Sequence, residues 1–360
     1  MKHIGLKIIL LLLPLWTFSF APQGKYKKLK TIQRSFDAGP NGTVVINNTY
    51  GNINVITGKT AQVTITVHIK VDGDDNEAVE KRFNHIKVHI DQSGSVITAE
   101  TIFGKYTESG GGWLSWIFGG SRKTTNFKIN YEVRMPEQWD LKIDNDYGQI
   151  YLNKLTGNLD LNADYGSFEI GQLLGNQNQI RTDYFTHSNI DFVKEADIQA
   201  DYSRIHIDSA YRLDLNCDYT TIDIEEVRFL TFNNDYGSIA VDNVKEVRGN
   251  GDYQVRKFGN VNTVRFSGDY GSLTIDGLLP GFNLVNLSCD YTSIKIINRQ
   301  KVPFRFELDQ TYGCFKPGNL EVYKEINDNG DKEIRAFYDD RHVNSLIKID
   351  LEYGCVKIED

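Results

Sequence analysis

The side chains best suited to chemistry in this 360-residue sequence recur at a fixed interval instead of gathering in one motif. Asp146, Asp164, Asp183, Asp201, Asp218, Asp235, Asp252, Asp269 and Asp290 each stand directly before a tyrosine, namely Tyr147, Tyr165, Tyr184, Tyr202, Tyr219, Tyr236, Tyr253, Tyr270 and Tyr291. Tyr312 and Tyr353 continue the series, and glycine often follows, as at Gly148, Gly166, Gly237, Gly271, Gly313 and Gly354. If the repeat stacks at the ~4.8 Å spacing of a sheet, neighbouring carboxylates repel by about 0.9 kcal/mol even in water, so something must offset that. One reading has each carboxylate accept turn N–H groups across its own Tyr-Gly corner, an Asx-type role. A sharper one is a row of hydrated Ca²⁺ sites. Neither Asp72-Gly73-Asp74-Asp75-Asn76 nor Asn327-Asp328-Asn329-Gly330-Asp331 has the full ligand spacing of a calcium loop, so no metal site is assigned. The tyrosines form either an exposed aromatic strip that stacks sugars or an interior ladder. Strand parity puts them on the core side. The residue two before is usually small (Ala163, Thr182, Ala200, Cys217, Gly251, Gly268), which leaves room for a ring, so a structural ladder inside the core is expected.

Other candidates are local. Gly110 to Gly120 carries Trp113, Trp116 and Phe118 between Lys105 and Arg122-Lys123, a composition that inserts at a membrane interface, grips a partner, or covers an open end of the core. Those three aromatics are the candidate binding residues. His85 and His89 stand four apart near a strand, while His187 and His206 are isolated in the repeat. No nucleophile elbow, paired metal motif or phosphate loop occurs, so neither catalytic residues nor a cofactor is assigned. Cys217 and Cys289 each stand two before a tyrosine, four repeats apart, about 19 Å at the sheet spacing, and cannot bridge. Cys314 and Cys355 each stand two after one. The stretch 316–346 reads as a hairpin leaving the stack, Leu320 to Ile326 and Lys332 to Tyr338 joined at Asn327-Asp328-Asn329-Gly330. That makes the repeats of Tyr312 and Tyr353 neighbours, with Cys314 and Cys355 in contact and a candidate disulfide that would clamp an otherwise open last repeat.

The elements that must position these residues follow from the flanks. Six and four residues before the tyrosine come apolar pairs: Leu141 and Ile143, Leu159 and Leu161, Leu213 and Leu215, Leu230 and Phe232. Three and five after it come Ile150 and Leu152, Ile205 and Ile207, Ile222 and Ile224, Ile239 and Val241. Alternation with period two marks a strand on each side of a corner. A further apolar residue eight after the tyrosine (Leu155, Leu173, Val227, Val244, Val261, Leu278) fills a second corner. Two short strands per 17 residues cannot bury a face alone, but identical units stacked in parallel can. No proline interrupts the stretch between Pro136 and Pro280. The fold predicted is all-β, a right-handed parallel β-solenoid with rungs of about 17–21 residues.

The ends and composition bound the setting. Lys2 and Lys7 precede an apolar run from Ile8 to Phe20, the pattern of a secretory signal peptide over 1–21, with a cut near Ser19 as an alternative to one after Ala21. The run is well short of the ~20 residues that span a bilayer. No cysteine follows it, which argues against a lipid-anchored start. The formal charge is −8 without a basic tract, which speaks against nucleic acid as a partner.

Residues 36–137 read as a β-rich head and 138–360 as the solenoid. Tyr50 shows the repeat once, flanked by Val44, Ile46, Gly51, Ile53 and Val55. A long alternating strand follows (Val63 to Val71), then a short helix (Asp74 to Asn84), a hairpin (Ile86 to Ile90 and Val96 to Ile102 about Ser93-Gly94) and a strand from Phe127 to Met135 closed by Pro136. This order, with Thr43-Val44-Val45-Ile46 to Gly51-Asn52-Ile53-Asn54-Val55 and Tyr131-Glu132-Val133-Arg134-Met135-Pro136 leading into Leu141, resembles the bacterial putative-adhesin domain family of unknown function, relatives of auto-transporter adhesin head domains. The resemblance spans roughly 36–360 and implies a β-solenoid in the cell envelope, without catalytic residues to carry over. The expectation is a non-catalytic exported binding or scaffold protein, periplasmic or at the cell surface, whose partner is an envelope protein or a glycan. Two rivals are a polysaccharide lyase or hydrolase on a β-helix and an envelope-stress signalling partner. The almost insertion-free rungs speak against the enzyme.

Overall fold

The computed structural model of the protein describes residues 24–104 and 125–360. The signal-peptide segment 1–21 and the aromatic segment with Trp113, Trp116 and Phe118 lie outside the described residues. The chain is nearly all strand, wound into a parallel β-solenoid, with one helix among the described residues. No described helix is long and apolar enough to cross a membrane.

The rung of Tyr219 shows why the sequence winds this way. Ile222, Ile224, Val227, Leu230 and Phe232 are all buried, while Asp223, Glu225, Arg228 and Thr231 face out. Glu225 and Glu226 point outward in succession, as do Arg228 and Phe229, so the inward set resets at each pair and a strand of 13 residues (Thr221–Asn233) turns two bends without breaking. Val227 sits alone between these bends, which is the corner role its spacing predicts. Stacking then aligns like with like: Ile207 pairs with Ile224, Ile224 with Val241, Val241 with Phe258 and Phe258 with Ile275. Leu213, Leu230, Val247, Val264 and Val285 form a second such column. Each buried branched or aromatic side chain contributes about 1.5–3 kcal/mol, and none would be buried in an isolated rung.

The N-terminal end is continuous with the stack. Thr43–Thr49 lies parallel between Val96–Phe103 and the first half of Asp140–Leu155, and Ile53–Gly58 lies parallel between Thr125–Pro136 and the second half. The sheet then closes with antiparallel neighbours, Ile86–Ser93 on one face and Gln62–Gly73 on the other. Outside Gln62–Gly73 lies Tyr26–Asp37, a strand the sequence does not announce, because its apolar residues are few among Lys27, Lys28, Lys30 and Arg34. Those charges suit an edge that must not recruit further strands. The helix runs from Asn76 to His85, slightly later than predicted, because Asp75 caps it by accepting the Ala78 N–H at 2.8 Å.

The C-terminal end corrects the expectation for 316–346. The hairpin forms, as Glu321–Asp328 and Asp331–Tyr338, but it does not leave the stack. Its second strand pairs antiparallel along the whole of Phe304–Thr311. The next strand, Leu346–Glu352, lies parallel between Leu284–Asp290 and Phe304–Thr311. Cys355–Glu359 does the same between Thr292–Ile297 and Cys314–Lys316. The rung of Tyr353 is therefore next to last in space, and the rung of Tyr312, covered by the hairpin, is the last. Of the edge that a disulfide was expected to protect, the Phe304–Thr311 half is closed by antiparallel strands, while Cys314–Lys316 pairs on one side only.

Candidate functional surface: the aspartate–tyrosine edge

The tyrosines are not in the core. From Tyr147 to Tyr353 the repeat tyrosines are 39–59% exposed, which overturns the interior placement. Parity along a strand holds only while the backbone stays extended. Each of these tyrosines adopts a left-handed conformation, with φ between 49° and 66° from Tyr50 to Tyr353. That single residue reverses the alternation. The positions two before and one after the tyrosine face inward, as Cys217 and Thr220 do about Tyr219, while aspartate and tyrosine both face out. The small residue two before is thus a core residue in its own right. Glycine one after the tyrosine has a steric reason: a Cβ at Gly148 would meet the carbonyl oxygen of Gly51 in the rung below at 1.9 Å.

A left-handed L-residue costs roughly 1–2 kcal/mol. The rings offset it by stacking on one another, Tyr50 on Tyr147 at 4.7 Å between centroids, Tyr147 on Tyr165 at 5.0 Å, and on through Tyr270 and Tyr291 at 4.9 Å, with interplanar angles of 1–6°. Aromatic pairs of this kind are worth about 0.5–1.5 kcal/mol each. The ladder also follows space and not the chain: Tyr291 stacks on Tyr353 at 4.9 Å, and Tyr353 on Tyr312 at 5.4 Å. Both ends are covered. Phe127 meets Tyr50 edge-on at 5.2 Å, with the Arg82 guanidinium 5.2 Å from the Phe127 ring centre. At the far end the hairpin turn at Gly330 lies against the Tyr312 ring and its carbonyl accepts the Tyr312 N–H. Since neighbours occupy the ring faces, the strip offers solvent a row of ring edges and hydroxyls, with no faces free for sugars to stack on.

Most of the aspartates are satisfied, by a route other than the one expected. From Asp183 to Asp290 each carboxylate reaches along the stack, not across its own corner, to the backbone N–H of the next acid: Asp201 accepts from Asp218 at 3.0 Å, Asp218 from Asp235 at 3.1 Å, Asp235 from Asp252 at 2.7 Å, and Asp252 from Asp269 at 2.8 Å. The row ends with Asp290 accepting from Glu352 at 3.3 Å. The like-charge cost is visible at its start. Burial, followed by the charges of Asp164 and Asp144, raises the Asp146 carboxyl above its ordinary value, and burial with the charge of Asp183 raises Asp164.

Beside this edge the outward residues three before the tyrosine make an amide column. Asn250 donates to Asn233 at 2.8 Å and Asn233 to Asn216 at 3.4 Å. Here the surface forms an open concavity of about 290 Å³ whose lining includes Gln179, Arg181, Gln199, Asp214 and Asn216. On a separate corner His206 stands 3.1 Å from Asp208 and 3.8 Å from Glu225, all partly or fully exposed. His85 closes the helix and His89 lies in the following strand.

Cys314 and Cys355 are register partners with α-carbons 4.5 Å apart and are joined as a disulfide. Cys217 and Cys289 are free and buried, and burial pushes both thiols up to about 12. One residue escaped sequence reasoning. Arg256 occupies an apolar column, three after Tyr253, and is 1% exposed. Its Nη2 donates to the Gly251 carbonyl, its guanidinium lies 4.2 Å from the Phe266 ring centre, and burial lowers its pKa to about 10. The signal was there: Arg256 stands in the column where the neighbouring rungs have Ile239 and Leu273.

No protein-family model matches the chain, and no curated protein matches it. Solved structures are similar to it at low identity. A putative adhesin from Parabacteroides distasonis is 11% identical over 91% of this chain and 97% of that one, with a TM-score of 0.36. A putative adhesin from Parabacteroides merdae is 12% identical over 94% and 98%, with a TM-score of 0.28. One from Bacteroides fragilis is 11% identical over 91% and 97%, with a TM-score of 0.29.

Proposed function

We propose that the protein is a non-catalytic, exported cell-envelope binding or scaffold protein, and that its ligand is a glycan chain laid along the amide column beside the aspartate–tyrosine edge. The observation that carries this reading is repetition. The phenol column recurs at rung spacing over twelve rungs, about 53 Å from the first to the last, the carboxylate column over ten of them, and the amide column over the four successive rungs of Gln199, Asn216, Asn233 and Asn250. A surface periodic in one direction suits a ligand periodic in one direction. The open concavity over Gln199, Asp214 and Asn216 supplies paired donors and acceptors of the kind polyhydroxylated chains require. Ring stacking carries that surface from rung to rung at a near-constant 4.7–5.4 Å between centroids. Export rests on the basic-then-apolar start of the sequence.

Binding of the mature protein to a panel of soluble polysaccharides, peptidoglycan and envelope extracts tests the proposal. A glycan hit that weakens at least tenfold in a Gln199→Ala, Asn216→Ala variant of unchanged melting temperature supports it. A hit insensitive to that variant, or a protein partner in place of a glycan, overturns the glycan assignment.

A further inference from the structure

At the C-terminal end the chain leaves a gap one rung wide and fills it last. Leu284–Asp290 and Phe304–Thr311 are both laid down before the hairpin, yet they do not pair with each other. The gap between them takes Leu346–Glu352, paired on both sides, while Cys355–Glu359 fills the matching gap between Thr292–Ile297 and Cys314–Lys316. Without the insert, two facing rows of backbone donors and acceptors would lie open. The insert supplies Ile347, Ile349, Leu351, Val356 and Ile358 to the core, each at most 2% exposed, and Tyr353 to the ladder. It is tethered to the hairpin by 339–344, which is mostly exposed and lies beside an open concavity of about 420 Å³ lined by Phe282, Pro303 and His342.

We infer that this terminal strand pair is an exchangeable element whose partner is a second copy of the chain: Leu346–Glu352 and Cys355–Glu359 of one copy fill the gap of another, and the reverse. The occupant is fixed by the gap itself, which asks for two strands of seven and five residues, a left-handed tyrosine between them, and a cysteine two residues later to face Cys314. The chain's own terminus meets all of these. Exchange leaves every strand–strand contact unchanged and alters only the tether, so it costs little beyond association. A tether of six residues reaches about 20 Å when extended, enough to cross to an adjacent copy. The disulfide decides when exchange is possible. While Cys314 and Cys355 of one chain are bonded, the insert cannot leave. A dithiol opens the bond by giving two electrons and two protons and becoming a disulfide itself. Oxidised glutathione closes it again, taking two electrons and two protons to become two thiols. In the exchanged pair the bond re-forms between copies.

Mixing natural-abundance and ¹⁵N-labelled protein tests this. The mixture is reduced with a dithiol, warmed to just below its melting temperature, cooled at graded concentrations, reoxidised with glutathione disulfide and digested without reduction. Exchange predicts a Cys314–Cys355 peptide pair with one light and one heavy half, approaching half of all such pairs at the highest concentration, falling on dilution, and found in a fraction that elutes as a dimer. Only light–light and heavy–heavy pairs at every concentration overturn the proposal. So do covalent dimers joined through Cys217 or Cys289.

Discussion

Between Arg204 and Asn250 the order of strands in space is the order of the chain, while between Leu284 and Glu359 it is not. Both regions nevertheless build the same rung: apolar columns inside, a left-handed tyrosine at the corner with an acid before it in all but the outermost rung, and a continuous ring stack outside. The comparison shows that a rung's place is set by the columns it completes and not by when it leaves the ribosome. In the middle these two criteria coincide and cannot be told apart. At the end they separate, and the columns win. The acid column runs from Asp290 to Glu352 and stops before Thr311, and the ring stack runs from Tyr291 to Tyr353 before reaching Tyr312.

The largest effect should come from breaking a column where both criteria agree. Replacing Ile222 and Ile224 by Asp removes about 1.5–3 kcal/mol of burial at each position and adds charges that the interior cannot pair, a loss comparable with the ~5–15 kcal/mol that typically holds a domain. Denaturant melts of this variant should lack a cooperative transition; a parental melt would place these residues on the solvent face. Next in size is the end region. Cys314→Ser with Cys355→Ser should destabilise by roughly 2–4 kcal/mol, as expected for a bond closing a loop of this length. Hydrogen exchange should quicken at 346–359 while 205–250 keeps its protection. Uniform loss of protection would mean that the two regions unfold as one.

A smaller difference separates backbone from ring at a middle corner. Tyr236→Ala loses stacking with Tyr219 and Tyr253 and keeps an unfavourable φ, whereas Tyr236→Gly loses the same stacking and relieves the φ. The alanine variant should therefore be the less stable by about 1 kcal/mol. Equal melting temperatures would remove backbone conformation from the account. The smallest effect concerns the start of the acid row. A carboxyl whose folded pKa is raised binds protons more readily folded than unfolded, so stability falls as pH rises through the folded value. Asp164→Asn keeps the acceptor and removes the charge. It should raise the melting temperature by a degree or two at pH 7, with the gain shrinking towards pH 4. A gain independent of pH would mean that repulsion along the row is not the cause.

Much of this was legible in the sequence, and the misses have physical reasons. Period-two alternation gave the columns of Ile222 and Ile224 and of Leu230 and Phe232, and the spacing to Val227 gave the second corner. The tyrosine side was misjudged because alternation does not survive a left-handed residue, and nothing in an Asp-Tyr pair announces that conformation where glycine would be usual. Tyr26–Asp37 was invisible because an edge strand defended by lysines loses the apolar pattern that identifies strands. The inserted terminus was missed because Cys314 and Cys355 are neighbours whether the rung of Tyr353 lies inside or outside that of Tyr312. Two weaker signals favoured the inside: Glu352 continues the acid row where Thr311 does not, and Pro317 stops the strand at Cys314–Lys316 after three residues, as suits an outermost rung.

Paired cysteines test the order of rungs most directly. Ser288, Asp350 and Asp309 occupy one outward column, three before their tyrosines, with Ser288 the register partner of Asp350 and Asp350 that of Asp309. On a Cys314→Ser, Cys355→Ser background, Ser288→Cys with Asp350→Cys should oxidise to an internal disulfide, since in-register α-carbons fall within the 4.4–6.8 Å such bonds require. Ser288→Cys with Asp309→Cys should stay reduced, because two rung steps put those α-carbons about 10 Å apart. A bond in the second variant and none in the first would restore chain order to the end of the solenoid and contradict the account.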